Sequence, residues 1–154
     1  MENIIVLDRF ERFIGTVSEV HRYLHRIMTD EMQRYDLKGA YAVYFVALHQ
    51  YGKLTATELG SKCERNKADV SRAISVLEER GLVFRHNKLH SGVYRAQISL
   101  TTEGFRIAEI MCDRAKAVVE MAGQGLADES RAIFYAAFDT IANNMKIISE
   151  GKMV

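Results

Sequence analysis

Apolar residues return at helical spacing along the first fifth of the chain. Phe10, Phe13, Ile14, Val17, Val20, Leu24, Ile27 and Met28 predict a helix from about Asp8 to Tyr35. A second helix is predicted from about Gly39 to Tyr51. It is rich in Tyr41, Tyr44, Phe45, Val46 and Leu48, and Gly52 closes it. Thr55-Ala56-Thr57-Glu58 then spells a capping box, in which the threonine hydroxyl takes an orphan amide and the glutamate reaches back to the cap amide. The helix it opens runs to about Lys62, because Cys63-Glu64-Arg65 breaks the pattern and Asn66 is a second cap, with Asp69 favouring the positive end of the next dipole. From Lys67 onward, Val70, Ala73, Ile74 and Leu77 form one buried stripe, which leaves Lys67, Ala68, Ser71, Arg72 and Ser75 facing outward. Gly81 is the left-handed stop. Leu82 to His86 and Tyr94 to Leu100 read as strands around a turn at Asn87 to Gly92, with Ala96, Ile98 and Leu100 alternating against Arg95, Gln97 and Ser99. Thr101 caps a helix reaching about Gly123, whose broad apolar face carries Phe105, Ala108, Met111, Cys112, Ala115, Val118, Val119 and Ala122. The last helix starts near Asp128 and Glu129 and presents Ile133, Phe134, Ala137, Phe138, Ile141, Met145 and Ile148.

Two short helices joined by a tight turn, followed by a basic hairpin, predict a winged helix-turn-helix. A helix that enters a DNA major groove must bring its backbone close to base edges. Ala68, Ser71 and Ser75 permit that approach, while Arg65, Lys67 and Arg72 supply charge and donors, with Asn66 beside them. Charge supports the assignment. Residues 62–95 hold eight basic residues (Lys62, Arg65, Lys67, Arg72, Arg80, Arg85, Lys88, Arg95) against four acidic ones, a local +4 in a chain of net +1. Helix-turn-helix pairs also serve as plain packing units, and a winged-helix scaffold for protein contact is the rival reading. It would expose Tyr, Trp, Leu or Met anchors on the outer face, which here carries none.

The chain resembles the MarR family of bacterial transcription regulators. The residues that carry the resemblance are Leu54-Thr55 with Glu58-Leu59, Val70-Ser71-Arg72, Leu77-Glu78-Glu79-Arg80-Gly81-Leu82-Val83 and Ser99-Leu100-Thr101-Thr102-Glu103-Gly104. The resemblance implies a homodimer that binds palindromic operator DNA and is often released by a small ligand or an oxidant. Members of that family usually carry an Asp and one or two Arg near the wing tip. Here Gly92, Val93 and Tyr94 occupy those places, and Arg85, Lys88, His90 and Arg95 are the candidate wing contacts. Family ligands of the small aromatic acid or phenol type imply a site between the dimerisation helices and the winged domain, for which His21, Tyr41, Tyr44, Phe45 and Met111 are the candidates. Either the small Ala42 leaves a cavity there, or Tyr44 and Phe45 fill the space.

At 154 residues, 48% hydrophobic and 27% charged, the chain suits one folded domain, and the absence of proline permits long helices. We expect residues 37–101 to form the winged helix-turn-helix and residues 1–36 and 102–154 to form dimerisation helices. The terminal helices carry more apolar surface than a small winged domain buries. An isologous interface through Phe10, Phe13, Val17, Val118, Phe134, Phe138, Ile141 and Ile148 is therefore expected, against the alternative of a long surface helix on a monomer. No apolar run reaches membrane-spanning length and no secretory leader is visible, so a cytoplasmic location and no membrane partner are expected. His21 and His25 stand one helical turn apart, as two metal ligands would, but no third ligand is identifiable, and neither a metal nor another cofactor is expected. Cys63 lies beside Lys62 and Arg65, which would lower its pKa, although packing in the turn competes with a redox role; Cys112 reads as a small core hydrophobe. No nucleophile elbow, phosphate loop or zinc-protease motif is present, so an enzyme is not expected. The sequence thus predicts a mainly α fold with a small β-hairpin wing, in a DNA-binding regulator, most simply a repressor, that reads a pseudo-palindromic operator as a homodimer and has a small aromatic molecule as candidate effector.

Overall fold

The computed structural model describes residues 2–86 and 96–152, with side chains from residue 7 onward. Its elements are α1 (Glu2–Gln33), a single 3-10 turn (Gly39–Tyr41), α2 (Ala42–Tyr51), β1 (Leu54–Thr55), α3 (Ala56–Cys63), α4 (Lys67–Glu79), β2 (Val83–His86), β3 (Gln97–Leu100), α5 (Thr102–Ala122) and α6 (Asp128–Ser149). The mainly α class with a small antiparallel sheet is as expected. The hairpin turn at Asn87 to Gly92, and with it Lys88, His90, the wing-tip Val93 and Tyr94, and Arg95, lies outside the described residues.

The caps set the boundaries. Thr55 Oγ1 accepts from the Glu58 amide at 3.2 Å, and Glu58 Oε2 accepts from the Thr55 amide at 2.7 Å, so both halves of the capping box are made. Asn66 Oδ1 accepts from the Asp69 amide at 2.9 Å and starts α4 at Lys67. Between them Glu64 takes the left-handed conformation at φ 51°, which ends α3 and turns the chain toward α4. At the other end of α4, Gly81 sits at φ 68°, a conformation that costs glycine nothing. Helix α1 begins earlier than expected because nothing in residues 2–7 breaks a helix. It stops at Gln33 rather than Tyr35 because Asp36, at φ 55°, reverses the chain and lets the Leu37 amide donate to Met32 O at 3.1 Å.

The sheet departs from the expected hairpin in two ways. Leu54 and Thr55 pair with Ile98 and Gln97, so β3 becomes the middle strand in the order β1-β3-β2. A two-residue strand has no periodicity to read, and only its partner defines it. Ser99, expected on the outward face, is buried instead, with its hydroxyl 2.8 Å from His86 Nε2 across the β2–β3 pair. A middle strand is shielded on both edges, and the imidazole satisfies the polar group that burial would otherwise strand.

Packing divides the chain into two compact units, residues 1–114 and 115–154. The core of the first is Met32, Phe45, Leu48, Leu59, Val70, Ile74, Leu77, Val83 and Met111, all with essentially no exposure. It includes Met32, one turn beyond the stripe read along the first helix, and the Ile107 position that the fifth-helix stripe omitted. Phe105 is half exposed, stacked on the His49 ring at 4.9 Å. Gly104 permits the approach of α5 to the turn after α4: a Cβ there would fall onto the backbone carbonyl of Leu82. Beside it Thr101 Oγ1 donates to Gly81 O at 2.7 Å and accepts from the Gly104 amide at 3.1 Å, so one hydroxyl joins the turn after α4 to the start of α5. In the second unit Gly125, at φ 86°, turns the chain between α5 and α6, and Arg131 braces the turn by donating to Gly123 O at 2.8 Å and pairing with Glu120 at 3.2 Å. Helix α6 buries none of its residues.

Candidate nucleic-acid interface

Helix α4 splits into two faces as its pattern requires. Val70, Ala73, Ile74 and Leu77 are buried, while Lys67, Ala68, Ser71, Arg72 and Ser75 are exposed. Arg65 and Asn66, in the turn before it, are exposed as well. Seven of the expected contact residues therefore lie on one continuous surface. Their side chains are not equally free. The Asn66 amide is engaged on both atoms, since its Nδ2 also donates to Asp69 Oδ2 at 2.7 Å, so Asn66 orients the helix start before it can read anything. Arg72 is ion-paired with Asp69 one turn back at its own surface. Arg85, on β2, pairs with Glu78 at 2.9 Å and reaches Ser75 Oγ at 3.4 Å, tying the base of the wing to the recognition helix. Such exposed pairs contribute little to stability and exchange readily for phosphate.

Alongside α4 runs an open groove of about 670 Å³. Its lining brings Ser71, Arg72 and Ser75 of α4 together with Lys38, Tyr41 and Tyr44, and includes Arg65 and Asp69. Of the five candidate ligand residues, Tyr41 and Tyr44 line this groove, their rings 6.5 Å apart. The others do not join them. Phe45 and Met111 are sealed in the core at 0% exposure, and His21 is exposed on α1. Ala42 is buried in the same core as Phe45. Burial raises the Tyr44 hydroxyl pKa above the ordinary phenol range, with Cys63 adding to the rise and Arg65 opposing it. Lys38 is the feature that sequence reading missed. It lies some thirty residues before α4 and stands in no periodic pattern, so only folding brings it to the groove.

At Cys63 the packing that competed with a redox role prevails over the charge of its neighbours. Its thiol pKa is raised, because burial outweighs the opposing charge of Arg65, and Sγ donates to Val43 O at 3.6 Å. A half-buried thiol with a raised pKa fits the packing reading better than a redox role. Cys112 Sγ lies 3.6 Å from His49 Nδ1, half-buried. His21 and His25 have ring centroids 6.4 Å apart, and among the described residues no group of three His, Cys, Asp or Glu side chains is arranged to hold a metal.

Comparison with known proteins follows the same segment. The sequence profile of the MarR family matches residues 35–90, from the end of α1 through the helix-turn-helix into the wing. No curated protein matches the chain. Among solved structures, a MarR-family transcriptional regulator from Silicibacter pomeroyi superposes with a TM-score of 0.72 at 20% identity, over 84% of this chain and 86% of its own. A structure from Listeria monocytogenes, described as a MarR-family regulator complexed with 26mer DNA, gives 0.78 at 16% identity, over 92% and 96%. Staphylococcus aureus MepR bound to DNA gives 0.76 at 16%, over 86% and 97%. At such identities these likenesses establish the fold. The profile match adds that residues 35–90 are similar to the MarR family.

Proposed function

We propose that the protein is a transcriptional regulator, most simply a repressor, that binds a pseudo-palindromic operator as a homodimer. The observation that carries the reading is the outer face of α4, where five small, hydroxyl or basic residues lie exposed opposite a fully buried stripe. That composition suits insertion into a major groove, where Arg72 is placed to reach a base edge and Ser71 and Ser75 keep the backbone close. None of the exposed residues of α4 is an aromatic, Leu or Met anchor, which weighs against a protein-contact scaffold. The Listeria protein and MepR, which share this fold, were each seen with DNA, which supports the same reading. The similarity of residues 35–90 to a family of transcription regulators favours a regulator over an enzyme, and no described helix is long and apolar enough to cross a membrane.

The dimer is supported by apolar surface that each unit leaves uncovered. In the first, Phe10 and Val17 on α1 are exposed and Phe13 is half-buried; in the second, Phe134, Phe138, Ile141 and Ile148 on α6 are exposed and Val118 on α5 is half-buried. Exposed apolar surface in this amount marks an interaction site, and two-fold self-association is its commonest occupant. A small aromatic effector remains part of the proposal through Tyr41 and Tyr44 alone. The test is selection of bound sequences from random duplex DNA, followed by footprinting. A pair of half-sites with centres about 34 to 36 Å apart is expected. A single unsplit site, or no enrichment over random sequence, would reject the reading.

A further inference from the structure

The groove beside α4 has a wall that the helix-turn-helix itself does not supply. A recognition helix with its side chains is about 10 to 12 Å across and a major groove about 12 Å wide, so the two sugar-phosphate strands must pass along the flanks of the helix. On one flank of α4 there is an open channel whose lining includes Lys38 and Tyr41 from the segment between α1 and α2. Its charge is complementary to phosphate. Lys38, Arg65 and Arg72 are cationic, and the single acid in the lining, Asp69, is already held by Arg72 and by Asn66. Among the described residues neither Lys38 nor Arg65 has an ion-pair partner, so both charges are available. The channel is open to solvent, as a seat for a passing strand must be.

We propose that this channel seats one strand of the DNA backbone, with Lys38 as a phosphate contact and the Tyr41 hydroxyl as a second donor beside it. The proposal rests on the DNA-binding reading above and adds to it a clamp outside the helix-turn-helix. Lys38 and Arg65 both grip the strand, so that α4 is held in register while Ser71, Arg72 and Ser75 meet the bases. Contacts of this kind position the protein and carry no sequence information themselves.

The test uses the full chain and the duplex recovered by selection, with affinity measured from about 0.05 to 0.5 M salt for wild type, Lys38→Ala and Lys38→Arg. One phosphate contact per subunit contributes about 0.9 to the slope of log affinity against log salt, so Lys38→Ala should flatten the dimer's slope by roughly 1.8. The corresponding loss is about thirtyfold at 0.15 M and vanishes toward 1 M. It should be equal on operator variants with altered bases, and Lys38→Arg should restore most of it. Tyr41→Phe should give a smaller loss of the same even kind. Lys38 is exposed, so the variant should keep its helical circular dichroism and melting temperature. Unchanged affinity and slope for Lys38→Ala, in a wild type that binds its operator with a steep salt dependence, would overturn the clamp and leave the DNA-binding reading intact. A loss confined to particular base changes would also overturn it, by making Lys38 a base reader. If benzoate raises the melting temperature of wild type but not of Lys38→Ala, while DNA affinity is the same for both, the channel is a small-anion pocket. A wild type that enriches no sequence and binds no duplex removes the DNA-binding reading and the clamp together.

Discussion

Single residues do different work from what their neighbours in sequence suggest. Thr55 accepts one amide and has its own amide taken by Glu58. Thr55→Ala should therefore lower unfolding stability by about 1 kcal/mol, read as a shift of the urea midpoint with unchanged slope; an unmoved midpoint would mean that tertiary packing alone holds α3 in place. Cys63 shows the competition between charge and burial. The adjacent basic residues would favour the thiolate, but desolvation prevails and the pKa rises. The folded protein thus holds this proton more tightly than the unfolded chain. The resulting contribution to stability is complete below the ordinary thiol range near pH 8.5 and is lost as pH rises through and above it. Iodoacetamide should accordingly label Cys63 more slowly in the folded protein than in urea at pH 8. Equal rates would show that the thiol is exposed and ordinary.

Elements are held in place by a few contacts far apart in sequence. Arg80, at the C-terminal end of α4, donates to Tyr35 O at 2.9 Å and to Asp36 O at 3.0 Å, which fixes the recognition helix against the end of α1. Arg80→Ala removes two charge-assisted hydrogen bonds from a partly exposed site, and a loss of about 1 kcal/mol in stability is expected from chemical denaturation. Gly104 is less tolerant. Because an added Cβ would meet the Leu82 carbonyl, backbone that cannot swing aside, Gly104→Ala should cost about 1 to 3 kcal/mol although alanine is the better helix former. A variant as stable as wild type would mean that α5 shifts at little cost. The starts of the two short helices of the helix-turn-helix, by contrast, were readable to the residue from their caps.

At the scale of the whole molecule, assembly is the property most open to test. Phe138 is 40% exposed in the single chain and stacks on Phe134 at 5.5 Å, on a helix that buries nothing. In the proposed dimer, Phe138→Asp places an unpaired charge in the interface and should weaken association by several kcal/mol. The capped module from Thr55 to Thr101 keeps its residues, so weak half-site binding should persist while affinity for the full operator falls, as two linked sites lose their effective concentration. Sedimentation and a DNA titration on this variant check both points. An undiminished dimer would place the interface elsewhere than on α6.

Sequence alone determined whatever depends on near neighbours. The caps at Thr55, Asn66 and Thr101, the stop at Gly81 and the inward stripe of α4 follow from hydrogen bonds and spacings spanning three to seven residues, and so does the outward face that makes DNA the expected partner. Tertiary structure decided what depends on distant partners. The strand at Leu54–Thr55 exists because β3 pairs with it, Ser99 is buried with its hydroxyl against His86 of the neighbouring strand, and Phe45 and Met111 lie in the core and not in the groove. Lys38 reached the groove only because the chain reverses at Asp36. Such positions are set by where folding brings remote segments, and local periodicity holds no record of that.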